Sequence, residues 1–341
     1  MSRPLSIVLT GCGGISAAWF KGVQGLEDVA IRGLVDLSRE AAERRQAEFA
    51  LKDAVIGDNL REVLKAVKPD IVFDCTVPEA HIDVVLESLR HGCHVLGEKP
   101  MADSMANARR MVRAARKAGR LHAVMQNRRY DPRIRAYRDL FGRGPLGDLT
   151  TLNGDFYIGA HFGGFRERMR HVLLLDMAIH TFDQARLISG ADPVAVYCRE
   201  WNPAGSWYSH DASAVAVFEM SNGIVFTYRG SWCSEGLSTT WESDWRAIGT
   251  RGSALWNGAD AFKAATVSVK GGFTRDAEEV PVVISGTEKR GGHAGCIREF
   301  VECVRDGRDP ETAGHDNIKS LAMVFAAIRS AETARRVKIR I

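Results

Sequence analysis

Long apolar runs are missing from this sequence. The best stretch, Val172 to Ile179, is broken by Asp176, and it falls far short of the ~20 residues that span a bilayer. The N-terminal MSRPLSIVLTGCGG has one arginine and runs straight into a strand pattern, without an apolar leader core or a small-residue cleavage site. A cytoplasmic protein with no membrane partner is therefore expected. Cysteine is sparse and irregular: seven residues, an odd number, with no C-x-x-C pair. That argues against a disulfide framework and a zinc ribbon, and reduced, packed thiols are expected. His91 and His94 flank Cys93, but at a helix end and a strand start they are not placed to converge, so no metal is expected. There is also no excess of one charge. Lys and Arg number 46 against 42 Asp and Glu, a net charge of +4; the basic residues are dispersed, which argues against nucleic acid as a partner. Internal repeats and low-complexity tracts are absent.

What is present is the composition of an ordinary globular protein, 45% hydrophobic and 26% charged. At 341 residues the chain is about twice the ~150 typical of one domain, so two domains are expected. From Leu5 to Gln126 short β-branched runs alternate with longer helical patterns, the rhythm of a parallel sheet covered on both faces. Strands are predicted at 6–10, 30–36, 54–56, 71–75, 94–97 and 121–126. Helices are predicted near 15–27, 38–50, 59–67, 79–91 and 104–118, the last two closed by Gly92 and Gly119. The composition changes after this point, so the chain divides into a doubly wound domain over 1–125 and a second domain over 126–341. The second domain opens with a helix at 133–141. It then reads as mainly antiparallel strands, with a hairpin 212–220/224–232 turned at Ser221-Asn222-Gly223. Further strands are predicted at 241–249, 253–257, 265–269 and 279–284, one inserted helix at about 174–189 and two terminal helices at about 294–306 and 314–333.

The chemistry-bearing residues fall at strand ends. The first strand runs into Gly11-Cys12-Gly13-Gly14-Ile15-Ser16 and then a helix, a G-x-G-x-x-G/A pattern with Ser in the third position. Gly11 permits the tight turn, Gly13 lets backbone approach a pyrophosphate, Ser16 is small enough to pack helix on strand, and the helix N-terminus faces the phosphates. Alone the pattern also fits a plain strand-to-helix turn. Here the second strand ends in Asp36, placed to accept from an adenosine ribose, with Ser38 and Arg39 beside it as residues able to accommodate a 2′-phosphate. NAD is thus preferred as cofactor, with NADP allowed. The fourth and fifth strands end in Thr76-Val77-Pro78-Glu79-Ala80-His81 and Glu98-Lys99-Pro100, which should border the same crevice. Lys99 then lies near the nicotinamide, or is a solvated loop lysine. In the second domain Asp176 and His180 are four apart on one helical face. They read either as an acid/base group meeting one ligand or as a core histidine with a helix partner. Arg166, Arg168 and Arg170, with His161 and His171, read as an anion site or as a solvated, mobile loop.

Together, GCGGIS, Asp36, TVPEAH, GEKP, the D-x-x-x-H of Asp176 and His180, QNRRYDP (126–132), the SNG hairpin, GSW (230–232) and HAGCIREF resemble the glucose-fructose oxidoreductase/inositol dehydrogenase/MocA family over nearly the whole chain. The resemblance implies a Rossmann domain followed by an α/β domain with a large open sheet, acting on sugar or cyclitol hydroxyls with NAD or NADP. It implies Lys99 and His180 as the catalytic pair and Asp176 as acid partner. Gly14, Ile15, Thr76, Pro78, His81 and Glu98 fall on the cofactor side; Arg128 and Tyr157 fall on the substrate side with Lys99, Asp176 and His180. His171-Val172-Leu173-Leu174-Leu175 replaces a glycine-rich run that many members carry before D-x-x-x-H, so the resemblance brings no particular substrate with it. Two rivals to a sugar or cyclitol oxidoreductase are a dehydrogenase of a non-sugar diol and a dinucleotide-binding sensor without turnover. A large sheet with few helices to cover it predicts a homodimer or homotetramer.

Overall fold

The computed structural model describes residues 3–271, 273–285 and 291–341. Contacts within the chain divide it into two compact units, Met1–Asn127 with Lys289–Leu321, and Arg128–Glu288 with Ala322–Ile341. In the first, β1 (Leu5–Thr10), β2 (Val29–Val35), β3 (Val55–Gly57), β4 (Ile71–Asp74), β5 (His94–Gly97) and β6 (His122–Val124) form one parallel sheet in the order β3-β2-β1-β4-β5-β6. Helices α1 (Ser16–Val23), α2 (Arg39–Glu48), α3 (Leu60–Val67), α4 (Pro78–Arg90) and α5 (Met105–Ala118) connect them. The order reverses between β1 and β4, which opens a crevice beyond their carboxyl ends. β4 is buried along its whole length, as a central parallel strand covered on both faces must be. Val8, Val35, Val63, Leu64, Val72, Val84 and Cys93 form a continuous apolar cluster. Helix ends follow local chemistry: Ser38, Asn59 and Ser104 cap α2, α3 and α5, while Gly92 and Gly119 take the left-handed conformation after α4 and α5.

The second unit begins with α6 (Pro132–Arg138) and builds a nine-stranded sheet from β7 (Leu149–Tyr157), β8 (Pro193–Trp201), β9 (Ser213–Met220), β10 (Val225–Ser231), β11 (Asp244–Gly249), β12 (Gly252–Trp256), β13 (Phe262–Gly271), β14 (Arg275–Glu279) and β15 (Val337–Lys338). The order is β14-β13-β12-β11-β7-β10-β9-β8-β15, antiparallel except for the β7/β10 pair. The hairpin turns at Gly223 with φ +83°, the conformation that only Asn-Gly-type turns supply cheaply. One face packs on α7 (Ile179–Ser189), whose Phe182 meets Phe218, Phe226 and Tyr228 edge-on. On that face Trp232, Trp245 and Trp256 are fully buried. The structure differs from the sequence reading in several places, among them an added edge strand, β15, and an α1 that ends at Val23. The strand expected at 279–284 lies at 275–279. The inserted helix is π-helical over Leu173–Ala178 before it becomes α7. Of the two terminal helices, α8 (Gly292–Asp306) packs on α1 in the first unit, where a Cβ on Gly22 would meet Ile297 at 2.7 Å. The last helix, α9 (Gly314–Thr333), runs from one unit into the other.

Candidate functional site

In the first unit the sequence dictates a sharp turn after β1. Gly11 has φ +88°, and a Cβ there would lie 2.6 Å from the carbonyl of Cys75, so only glycine fits. Around Gly13 and Gly14 the opposite holds: a Cβ would meet nothing within 4 Å, leaving open backbone of the kind a pyrophosphate approaches. Ile15 precedes α1 without a capping side chain, so the positive end of the helix has no built-in competitor for an anion. The turn is braced from beneath. Ser16 Oγ donates to the Gly13 carbonyl at 2.6 Å, Arg45 Nη2 donates to the same oxygen at 2.8 Å, and Arg45 Nε donates to Ser16 Oγ at 3.0 Å. Asp36 ties the turn to the second strand, accepting from Cys12 N at 2.6 Å and from Ser38 N at 2.8 Å. These are the donor sets and open backbone that a dinucleotide requires, so the residues fit the group.

The ends of β4 and β5 are joined by side chains. Asp74, fully buried, accepts from both the backbone N–H and the hydroxyl of Thr76 at 3.0 and 2.6 Å. With its hydroxyl proton directed at Asp74, Thr76 Oγ1 offers a ligand its lone pairs. His81 spans the carbonyl oxygens of Thr76 and Pro100, 3.1 Å from each. Glu98 accepts from Trp19 Nε1 at 2.7 Å and from Lys99 N at 3.1 Å, with His293 Nε2 at 3.9 Å. Burial pushes the Glu98 carboxyl up, but the nearby His293 imidazole, the hydrogen bond from Trp19 and the charge of Lys99 hold it below its ordinary value. It is thus a fixed anion beside the half-buried Lys99.

The segment Asn127–Tyr130 forms a 3₁₀ turn whose two arginines, at the start of the second unit, hold the helical segment that carries Asp176 and His180. Arg129 forms a bidentate pair with Asp183 of α7 at 2.5 and 2.9 Å, both buried. Arg128 donates to the Trp241 carbonyl and to Met177 Sδ, and pairs with Glu242 at 3.5 Å. Burial lowers the Arg128 pKa and raises that of Glu242, against their mutual attraction. Asp176 sits in the π-helical turn, next to Met177, and His180, 8% exposed, lies in the first turn of α7. A π turn widens the helix locally and occurs frequently at functional sites; four residues still return to roughly one face.

Gly11, Gly13, Gly14, Ile15, Asp36, Ser38, Thr76, Pro78, His81, Glu98 and Lys99 all lie at or just beyond the carboxyl ends of β1, β2, β4 and β5. Arg39 is engaged on the surface by Glu43 at 2.8 Å. Asp176 and His180 share one helical segment, as their spacing predicts. Tyr157 ends β7; strand alternation gives it the face of Asp155 and Arg229, while Gly154, on the other face, lies against Thr181 of α7. Arg128, held by Trp241, Glu242 and Met177, lies within electrostatic reach of Asp176. The loop cluster disperses, because His161 stacks on Trp207 with ring centroids 3.7 Å apart and His171 binds Glu200 at 2.6 Å. Of its arginines, Arg166 alone turns inward, donating from Nε to Asp176 at 3.0 Å. His91 and His94 face a helix carbonyl and Leu121 N respectively. Sequence reasoning missed Arg45, Asp74, His293 and the Arg129–Asp183 pair. Only Asp74, an acid closing an apolar strand, carried a local signal.

The parallel sheet with its glycine turn and Asp36 defines a dinucleotide-binding protein. Residues 5–126 match the oxidoreductase family with an NAD-binding Rossmann fold, and residues 134–255 match the GFO/IDH/MocA C-terminal domain. The chain belongs to the Gfo/Idh/MocA family of oxidoreductases. It is 23% identical to a 1,5-anhydro-D-fructose reductase of Ensifer adhaerens, over 97% of each chain. With an inositol 2-dehydrogenase of Rhizobium meliloti it shares 25% identity, over 97% of this chain and 98% of the relative. An oxidoreductase from Agrobacterium radiobacter, solved with NAD+, L-tartaric acid and magnesium, superposes with a TM-score of 0.86 at 20% identity over 99% of both chains. Among the described residues no helix is long and apolar enough to cross a membrane.

Proposed function

We propose that this chain is an NAD-dependent dehydrogenase or reductase working between a hydroxyl and a carbonyl of a sugar, sugar derivative or cyclitol. It acts in the cytoplasm as a homodimer or homotetramer, with residues 1–125 holding the cofactor and the later domain the substrate. The observation that carries this reading is the Asp176/His180 pair on one helical segment of a chain whose other unit has a complete dinucleotide turn. The names of the sugar and cyclitol relatives supply the substrate class.

When bound, NAD supplies the hydride acceptor or donor. This chain's residues then manage the proton. His180, buried on α7, takes the hydroxyl proton as the alcohol is oxidised and returns it in the reverse direction. Asp176, in the turn before it, orients His180 or holds a neighbouring substrate hydroxyl. Lys99 donates a hydrogen bond to the reacting oxygen and stabilises developing alkoxide charge, and Glu98 fixes the main chain at that lysine. Thr76, Pro78 and His81 shape the cofactor side.

A screen of aldoses, uronates and inositols with NAD+ and NADP+ tests the reading; absence of turnover with every compound in either direction would refute it. With the best substrate, His180→Ala should lower kcat by roughly 10²–10⁴ while NADH still binds by fluorescence titration. Near-wild-type turnover would return His180 to a packing role.

A further inference from the structure

We propose that Arg166 is the receptor for a carboxylate on the substrate, which narrows the substrate class to sugar acids; the inference rests on the oxidoreductase reading above. Arg166 opens a short 3₁₀ turn, Arg166–Arg168, ahead of the π-helical segment. Its guanidinium carbon lies 5.1 Å from the ring centre of Phe162 and 4.9 Å from that of Phe165, and its Nε donates to Asp176 Oδ2 at 3.0 Å. Among the described residues this is the only hydrogen bond that the guanidinium makes. The side chain is 36% exposed, and neither terminal nitrogen has a hydrogen-bond partner among the described residues.

An arginine that merely solvates a loop is not held in this way. Two rings and one carboxylate fix the plane of the guanidinium, and the donors left over are the parallel pair that grips a carboxylate through two hydrogen bonds. Because the fork is already ordered, little rotamer entropy remains to be lost on binding. The neighbouring Arg168 and Arg170 are exposed and lack this framing. Phe162 and Phe165 are themselves 43% and 66% exposed, an expensive placement for two large apolar rings that their contact with Arg166 accounts for.

Charge selects the kind of anion. Arg166 and Asp176 cancel, as do Arg128 and Glu242, so the ion pairs that frame the fork add no net charge before ligand arrives. A carboxylate adds one negative charge beside Asp176 and is offset by the fork. A phosphate monoester near neutral pH adds about −1.5 to −2 beside the same Asp176, and like charges at such range oppose binding. The ring oxygen and hydroxyls of the acid would remain available to the helix that bears Asp176 and His180.

The test compares kcat/KM for D-glucose, D-glucuronate, D-galacturonate, D-gluconate and glucose 6-phosphate in wild type, Arg166→Gln and Arg166→Lys, each checked for folding by circular dichroism. Wild type should prefer an acid over its neutral parent and over the phosphate. Arg166→Gln should lower the acid-to-neutral ratio by roughly 10- to 100-fold, the worth of a charge-assisted hydrogen-bonded contact, and Arg166→Lys should recover part of it. An unchanged ratio in Arg166→Gln, or a wild-type preference for the neutral sugar or the phosphate, would overturn the proposal while leaving the oxidoreductase reading intact. Isothermal titration of the three acids into the NADH-loaded protein reads the site without turnover. Arg166-dependent binding with no turnover supports the receptor and overturns the reaction, whereas failure of all three acids to bind wild type overturns the receptor.

Discussion

Asp36 carries more than one load. Its carboxylate accepts from Cys12 N within the glycine turn and from Ser38 N at the cap of α2, so it shapes the turn, and we propose that its remaining lone pairs meet the ribose. Asp36→Ala should therefore weaken NAD binding and shift the NAD/NADP ratio of dissociation constants toward NADP; an unchanged ratio would show that Asp36 does not face the ribose. A second residue-scale prediction concerns His171, which has φ +53° and joins β8 Glu200 at 2.6 Å and α9 Glu332 at 3.6 Å, with Arg170 beside it. The hydrogen bond to Glu200 raises its pKa above the ordinary 6.5, against burial. A raised histidine pKa means that the folded state holds the proton more tightly. The stability it gives is complete below pH 6.5 and is lost as pH rises through the higher folded value. The melting-temperature gap between wild type and His171→Gln should thus be widest in mild acid and close toward alkaline pH; a pH-independent gap would leave His171 with packing alone. At this scale the glycines, Asp36, the two loop motifs and the D-x-x-x-H were legible, because close backbone approach and strand-end position demand particular residue types. Arg45 was not. Its partner Gly13 is 32 residues away, and nothing local distinguishes it from Arg44 next to it.

Among elements, the helix that bears Asp176 and His180 shows where periodicity stops being informative. An apolar run with polar residues four apart predicts a regular helix, and α7 obeys, but the π turn at Leu173–Ala178 depends on the register imposed by its surroundings. What anchors the segment is the buried Arg129–Asp183 pair. Removing one member leaves an uncompensated charge in the interior, so Asp183→Ala should destabilise the protein by about 3–5 kcal/mol. Chemical denaturation measures this, and a loss below about 1 kcal/mol would mean that water reaches and solvates Arg129 and its neighbour Arg186, the two cations that Asp183 faces. In the doubly wound half every strand and helix up to residue 126 was legible, since caps, glycines and apolar strands agreed there, although α1 ends at Val23 rather than near 27 and α8 was placed in the other domain. The sheet half was less so: its first long strands carry no turn signal that fixes their ends, and β14 fell earlier than the apolar 279–284 run suggested.

For the whole molecule, the outer face of the nine-stranded sheet stands out. Val194, Tyr197 and Trp201 of β8, Val217 of β9, Val225 of β10, Ile248 of β11, Leu255 of β12 and Val267 of β13 are each 36% or more exposed. Strand alternation puts them on the side away from α7. Interspersed with charged residues such as Asp155, Arg229 and Glu219, these apolar side chains together are more than a monomer ordinarily leaves in water, and we expect a second copy to cover them. Light scattering should return twice or four times 37.5 kDa, and Tyr197→Glu with Val217→Glu should shift the protein toward the single chain. A stable wild-type monomer at micromolar concentration would end this expectation.

The packing of α8 on α1 has a consequence for synthesis. The first unit is discontinuous: its sheet is complete by residue 124, yet the helix that covers α1 is supplied only after about 170 further residues have left the ribosome, from Gly292 onward. At roughly 5–20 residues per second that is on the order of ten seconds or more during which the α1 surface around Gly22 and the Trp19–Glu98 contact lack α8 and its His293. The nucleotide-binding half can thus begin to fold early but can finish only once α8 has been made. In the interval a chaperone, or NAD itself, would be stabilising an incomplete unit.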